Sequence, residues 1–245
     1  MTMDVNNGQV ITLILSRSNA ETDETQFTVP VPSPNSRVLD ALLYVQQHHD
    51  PTLAFRSSCR VGMCGSCAMV INGKEALACQ TTIGSLKSDV VRLAPLRSLP
   101  TQKDLKVDMA PFFANMRAAG AAFRPSEPGL KGIRQIPPQG KERALLETQN
   151  GCITCGACYS ACEWTSTRKG YLGPAALNRV YMLALDQRDA LGKKRLQVAA
   201  QDDGVLRCHS MGNCSAVCPI EIPLRTGLQQ LKGLVLTDTA MSEAE

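Results

Sequence analysis

Residues 55–79 read FRSSCRVGMCGSCAMVINGKEALAC, and this stretch decides the fold of the N-terminal part. Cys59, Cys64 and Cys67 follow a Cys-x4-Cys-x2-Cys spacing, with Cys79 further along. This is the plant-type spacing for a [2Fe–2S] cluster, which needs a loop that wraps the metal and aims backbone N–H groups at its sulfurs. Gly62 and Gly65 provide the close backbone approach such a loop requires. Structural zinc, the competing reading, favours two closely spaced cysteine pairs, which this is not. Residues 68–79, AMVINGKEALAC, form a hairpin: two short strands meet at Asn72-Gly73, a pair that tolerates the positive φ of a type I′ turn. Cys79 closes the site from the sheet side.

Outward from this stretch, the N-terminal part reads as mixed α/β. Gln9–Ser16 and Gln26–Val31 alternate like strands, and Val90–Leu96 is a further one. Ser36 is placed to cap a helix whose Val38, Leu42 and Val45 recur at helical spacing. Four or five strands and one crossing helix predict a small ferredoxin-like sheet domain over residues 1–103. Residues 104–245 read as helical. Asp108 caps a helix through Phe112, Phe113 and Met116 to Gly120. Pro174 opens one with Leu177, Val180, Tyr181 and Ala184 on a face, and Pro223 opens another with Leu224, Leu228, Leu231 and Val235. These stripes read as ordinary core faces. Residues 120–140 carry four Gly and four Pro, the composition of an extended surface segment. The last eight or so residues are expected to fray.

Two further cysteine runs lie in the helical part. CITCGACYSAC places Cys152, Cys155, Cys158 and Cys162 at C-x2-C-x2-C-x3-C, and RCHSMGNCSAVCP places Cys208, Cys214 and Cys218 at three positions of the same run, with Met211 at the remaining one. In two-cluster bacterial ferredoxins the fourth cysteine of each run ligates the other cluster. Cys152, Cys155, Cys158 and Cys218 then hold a [4Fe–4S] cluster, while Cys162, Cys208 and Cys214 form the second site. Met211 offers it only a weak, neutral thioether, so three thiolates remain, the number a [3Fe–4S] cluster needs. Four, four and three account for all eleven cysteines. Pro219 follows Cys218 as the ferredoxin pattern asks, whereas Glu163 stands after Cys162 in place of the proline.

Composition is consistent with a metal protein in a reducing compartment. Disulfide scaffolds are usually small, secreted and even in cysteine number, and this chain of 245 residues has an odd count. It is 44% hydrophobic but only 4% aromatic, so its cores rest on aliphatic side chains. The net charge of +4 comes from dispersed residues with no basic block, which gives no reason to expect a nucleic acid partner. No apolar stretch approaches the roughly 18 residues of a membrane helix. MTMDVNNGQV has neither a signal-peptide nor a transit pattern, so a prokaryotic location is expected, although a processed mitochondrial chain would look the same.

Together, FRSSCRVGMCGSCAMVINGKEALAC, the 152–162 run and RCHSMGNCSAVCP resemble the iron–sulfur subunit of succinate dehydrogenase and fumarate reductase. VLDALL before the first site and GPAAL between the later runs extend the likeness over nearly the whole chain. The resemblance implies a plant-type ferredoxin-like (β-grasp) N-terminal domain and an all-α bacterial-ferredoxin-like C-terminal domain, an α+β two-domain protein. It implies a flavoprotein partner with covalent FAD that itself binds succinate, and electrons relayed through the [2Fe–2S], [4Fe–4S] and [3Fe–4S] clusters to quinone at a membrane anchor. The chain would be peripheral, at the cytoplasmic face of a prokaryotic inner membrane.

In that family the three-iron cluster lies beside the quinone pocket, which makes His209, Met211 and Trp164 the quinone-site candidates. His209 reads equally as a histidine packed against the cluster. Trp164 reads equally as core, because the family's aromatic pair stands further from the equivalent of Cys162. His48 and His49 end a helix and read as solvated. Arg56 and Arg60 flank Cys59, either to tune the cluster and meet the flavoprotein or as plain surface charges. Two other readings share these cysteines: the cluster subunit of a related complex with another flavoprotein substrate or a non-quinone acceptor, and a free ferredoxin-like carrier. Size and the 120–140 segment argue against the carrier.

Overall fold

The structure, a computed structural model, describes residues 9–17, 24–126 and 135–242. Residues 1–8 and 18–23, and the middle of the 120–140 segment, lie outside the described residues. Strands β1 (Gln9–Ser16) and β2 (Glu24–Val31) pair antiparallel in full register from Gln9↔Val31 to Ser16↔Glu24. Helix α1 (Val38–His48) follows, then the hairpin β3 (Ala68–Ile71) and β4 (Lys74–Leu77). Asn72 (φ 47°) and Gly73 (φ 82°) give the hairpin the two left-handed residues of a type I′ turn. Strand β5 (Val90–Ala94) pairs parallel with β1 and antiparallel with β3, so one sheet forms in the order β2-β1-β5-β3-β4. Two short strands, β6 (Thr101–Lys103) and β7 (Lys106–Val107), make a separate ribbon.

The alternation in β1 decides which face is buried: Ile11, Leu13 and Leu15 are almost fully covered, as are Val38, Leu42 and Val45 along α1. Burying side chains of this size contributes about 1.5–3 kcal/mol each. The cap of α1 differs from the sequence expectation. Ser36 does not cap it; the backbone N–H of Arg37 donates to Asp40 Oδ2 at 2.8 Å, so the acid at the third helical position closes the end. Arg17 joins β1 to the loops beyond, donating to Asp50 Oδ2 and to Asp104 Oδ1 at 3.2 Å. The Asp50 carboxyl is thereby held down at about 2, chiefly by its bond from Arg17. A depressed carboxylate stabilises the fold above its unfolded value and loses that contribution as pH falls through the folded one. Arg17→Gln is therefore expected to lower the melting temperature at neutral pH and to shrink this gap between pH 4 and 2, as a pH series of melts would show.

The remaining elements are helical: α2 (Ala110–Ala118), α3 (Lys141–Asn150), α4 (Ala157–Ser160), α5 (Glu163–Thr167), α6 (Pro174–Leu185), α7 (Lys194–Ala200), α8 (Asn213–Ala216) and α9 (Leu224–Ser242). Pro174 occupies the first turn of α6, where its missing N–H costs nothing. The stripes Leu177, Val180, Tyr181 and Leu224, Leu228, Leu231, Val235 are buried. Helix α9 continues to Ser242, further than the expected fraying, with 243–245 outside the described residues.

Two compact units emerge: Met1–Met109 with Ile153–Ser160, and Ala110–Cys152 with Ala161–Glu245. Sequence reading put one break near residue 103; here α4, with Cys155 and Cys158 in its stretch, belongs with the sheet. In the second unit Arg124–Ser126 runs extended beside Arg188–Ala190, with Ser126 N–H donating to Arg188 O and Ala190 N–H to Arg124 O. The pair Arg195–Asp189 lies wholly inside this unit, 2% and 0% exposed.

Candidate iron–sulfur sites

The first loop is shaped by backbone that few residues adopt. Arg60 (φ 60°), Gly62 (φ 80°) and Gly65 (φ 68°) are all left-handed. The turn brings the N–H groups of Met63 and Cys64 to 3.3 Å from Cys59 Sγ, so both donate to one sulfur. The Ser66 hydroxyl lies 3.1 Å from Cys64 Sγ, and this contact with N–H donors brings the Cys64 thiol down to about 6. Burial instead pushes Cys67 up to about 12. Cys67 and Cys79 are buried at the hairpin ends, and Gln80 Nε2 reaches Cys79 Sγ at 3.8 Å. Three soft donors on a loop that aims N–H groups at sulfur, with a fourth, Cys79, beyond the hairpin, fit a [2Fe–2S] cluster.

Arg56 is half-buried, and burial lowers its affinity for a proton while Cys155, Cys64 and Cys67 raise it. Gly65 approaches Cys155 closely: a Cβ built there would lie 2.6 Å from Cys155 Cβ and 2.8 Å from its Cα. Arg60 is exposed, as are His48 and His49, which stand near Tyr44 with ring centroids 4.4 and 5.7 Å away.

The other two runs share one backbone device. Thr154 (φ 53°) and Gly156 (φ 85°) are left-handed around Cys155; Ser210 (φ 57°) and Gly212 (φ 92°) are left-handed around Met211. One-turn helices then follow at matching places, α4 and α8. Met211 therefore occupies the backbone position that Cys155 holds in the other run. The Ser210 N–H donates to Cys208 Sγ at 3.4 Å. Cys162 and Cys214 are pushed up by burial, Cys214 to about 11.

Cys162, Cys208 and Cys214 line a small open pocket of about 30 Å³ together with Trp164, His209 and Met211. The sequence groups these last three as candidates for one site, and the fold brings them to one place. The Trp164 and His209 rings meet at a tilt of 50°, with centroids 4.8 Å apart. His209 and Met211 are exposed, Met211 at 58%. Two residues of this site escaped the sequence reading. Tyr171 is buried on the cavity wall, its phenol raised by burial and by Cys208, Cys162 and Cys214. Lys232 on α9 donates to Cys208 O at 2.9 Å. Neither stands in a motif.

Comparison with known proteins places these sites in a class. Residues 12–114 match the model of a 2Fe-2S iron–sulfur cluster binding domain, and residues 148–222 that of a 4Fe-4S dicluster domain. The protein is thus a two-domain iron–sulfur protein, with a sheet-based first domain and a mostly helical second one. The chain is 34% identical over 242 residues to the fumarate reductase iron–sulfur subunit of Haemophilus influenzae, covering 92% of this chain and 93% of that one. Identity is 37% to the fumarate reductase iron–sulfur subunit of Mycobacterium tuberculosis (80% of this chain, 79% of that one). It is 39% to the mitochondrial succinate dehydrogenase iron–sulfur subunit of Dictyostelium discoideum (74% and 66%). A chain of the Mycobacterium smegmatis Sdh1 complex in its apo form superposes with a TM-score of 0.84 at 26% identity, covering 95% of this chain and 98% of that one. The protein belongs to the iron–sulfur subunits of succinate dehydrogenase and fumarate reductase, electron-transfer subunits of oxidoreductase complexes.

Proposed function

We propose that this chain relays electrons between the FAD of a flavoprotein subunit and quinone at a membrane anchor, with succinate bound by the flavoprotein and not by this chain. Cys59, Cys64, Cys67 and Cys79 would hold the [2Fe–2S] cluster, and Cys152, Cys155, Cys158 and Cys218 the [4Fe–4S]. Cys162, Cys208 and Cys214 would hold a [3Fe–4S]. When bound, these clusters supply one-electron chemistry, which a two-electron flavin and a quinone both need from a relay. The N–H groups of Met63 and Cys64 offset charge on the Cys59 sulfur, and that of Ser210 does so for Cys208. Trp164, His209 and Met211 would face the quinone, His209 being the group able to carry a proton there.

The observation that carries the reading is that Met211, on the wall of a pocket lined by three thiols, holds the backbone position that Cys155 holds in the other run. A peripheral place at the cytoplasmic face of a prokaryotic inner membrane accompanies the proposal; no described helix is long and apolar enough to cross a membrane. Aerobically purified protein is expected to show the EPR signal of an oxidised three-iron cluster. Met211→Cys, which sets a thiol where Cys155 has one, is expected to abolish that signal in favour of a four-iron cluster with a lower potential. A wild-type protein with no three-iron signal, or an unchanged signal in the variant, would refute the assignment.

A further inference from the structure

Glu75 is an acid where the strand pattern asks for a core residue. It lies on β4 with 3% exposure, one of few charged side chains buried among the described residues of the first unit. Its Oε1 accepts the Ser160 hydroxyl at 2.9 Å, and Arg97 Nη1 approaches it at 3.3 Å. Ser160 Oγ accepts in turn from the Arg97 backbone N–H at 2.7 Å, and Arg97 Nη2 donates to Gly73 O at 2.8 Å. The hydroxyl of Ser160 is thus used twice, as donor and acceptor, by two residues of the sheet region. A buried carboxylate is costly unless its lone pairs are met, and here the partners are a hydroxyl and a guanidinium.

Ser160 is the last residue of α4, in the stretch that carries Cys155 and Cys158. Glu75 sits on the hairpin whose two ends carry Cys67 and Cys79. At the other end of the same stretch, Gly65 leaves no room for a side chain against Cys155. The 153–160 stretch is therefore held at two points: by contact at Cys155 and by polar bonds at Ser160. A hydrophobic side chain at position 75 would bury as well but would not fix the angle of a one-turn helix. Hydrogen bonds are directional, and their geometry tolerates little drift.

We infer that Glu75 is a positioning residue: through Ser160 it fixes the stretch bearing Cys155 and Cys158 against the loop bearing Cys64 and Cys67, and so sets the spacing between the two cluster sites. The inference rests on the ligand assignments proposed above. Spacing matters because transfer between redox centres, like any reaction between held partners, depends on how they are placed. Charge is secondary in this account, because a neutral acceptor at position 75 can still receive the Ser160 hydroxyl.

The test compares Glu75→Gln, Glu75→Leu and Ser160→Ala in the purified full-length chain carrying its clusters. The readout is the microwave-power saturation of the reduced [2Fe–2S] EPR signal, which reports a neighbouring paramagnetic cluster through faster spin relaxation. Glu75→Gln is expected to keep the wild-type saturation behaviour, while Glu75→Leu and Ser160→Ala lose the enhancement with the [2Fe–2S] signal itself intact. Ser160→Ala keeps the test available if Glu75→Leu does not fold. Wild-type saturation in Ser160→Ala overturns the inference, as does a Glu75→Gln protein that loses the enhancement. A wild-type protein lacking either cluster signal refutes the ligand assignments instead, so the two failures are told apart.

Discussion

Alanine in place of Gly65 is expected to destabilise the first unit by roughly 2–5 kcal/mol and to leave the protein short of iron. Two costs add. An L-residue held left-handed, as φ 68° demands, costs about 1–2 kcal/mol. The new methyl would also stand 2.6 Å from Cys155 Cβ, 2.8 Å from Cys155 Cα and 3.1 Å from Ile153 O. These are mostly backbone or near-backbone atoms, so no flexible side chain can step aside, and forced overpacking costs about 1–3 kcal/mol. The displacement falls between two stretches that carry cysteines. Iron and sulfide analysis with thermal melts of the full chain would check it; an alanine variant with full iron content and an unchanged melting temperature would contradict the contact. Gly62→Ala meets only the Gln80 side chain, at 3.0 Å or more, so its packing cost should be smaller although its φ is as unfavourable.

Asp189→Ala should cost about 3–5 kcal/mol, because it leaves Arg195 charged and buried without its counter-ion. Arg195 Nε and Nη2 donate to the two oxygens of Asp189 at 2.9 and 2.7 Å. Asp189 further accepts from the N–H groups of Arg124 and Leu191, both at 3.0 Å. Arg195 also bonds Gly120 O and, at 2.8 Å, Ala122 O. One pair therefore holds the chain around residues 120–124, the 189–192 turn and α7 together. Burial alone would raise the Asp189 carboxyl, but the bonds from Arg195 and the backbone win and hold it below the usual range. Its contribution is accordingly present at neutral pH and fades in acid. Urea unfolding at pH 7 measures the loss; a midpoint within error of wild type would show that the pair contributes nothing net.

Features carried by neighbouring residues were legible in the sequence. The hairpin at Asn72-Gly73, the alternation of Gln9–Ser16 and the stripes of α6 and α9 depend on residues close along the chain, and they stand where the pattern put them. The α1 cap misled because Ser36 is a good capping residue by type, yet Asp40 reaches back to Arg37 first. Helix α3, KERALLETQN, has too thin an apolar stripe to announce itself; of its side chains Leu146 and Gln149 are buried. Ribbon β6–β7 is too short for alternation to be visible. At the candidate sites the cysteine spacing was legible, and so was the grouping of Trp164, His209 and Met211, which line one pocket. Tyr171, Lys232 and the Glu75–Ser160 bond, which joins residues 85 positions apart, were not. Pairings of that kind follow from the tertiary fold and leave no local trace.

The discontinuous first unit bears on how the chain is made. Its sheet can form once β5 has left the ribosome, but the stretch that abuts Gly65 and bonds Glu75 belongs to it and arrives only with residues 153–160. Synthesis must run through 110–152, which belong elsewhere, before the unit is whole. Until then the wall that faces Cys155 is open, and the Glu75 carboxylate has Arg97 but not yet Ser160 to meet it. A nascent chain thus passes through an interval in which the first cysteine loop is complete in sequence but lacks the Cys155 contact at Gly65. Order of emergence, as much as final contact, is written into where α4 sits along the chain.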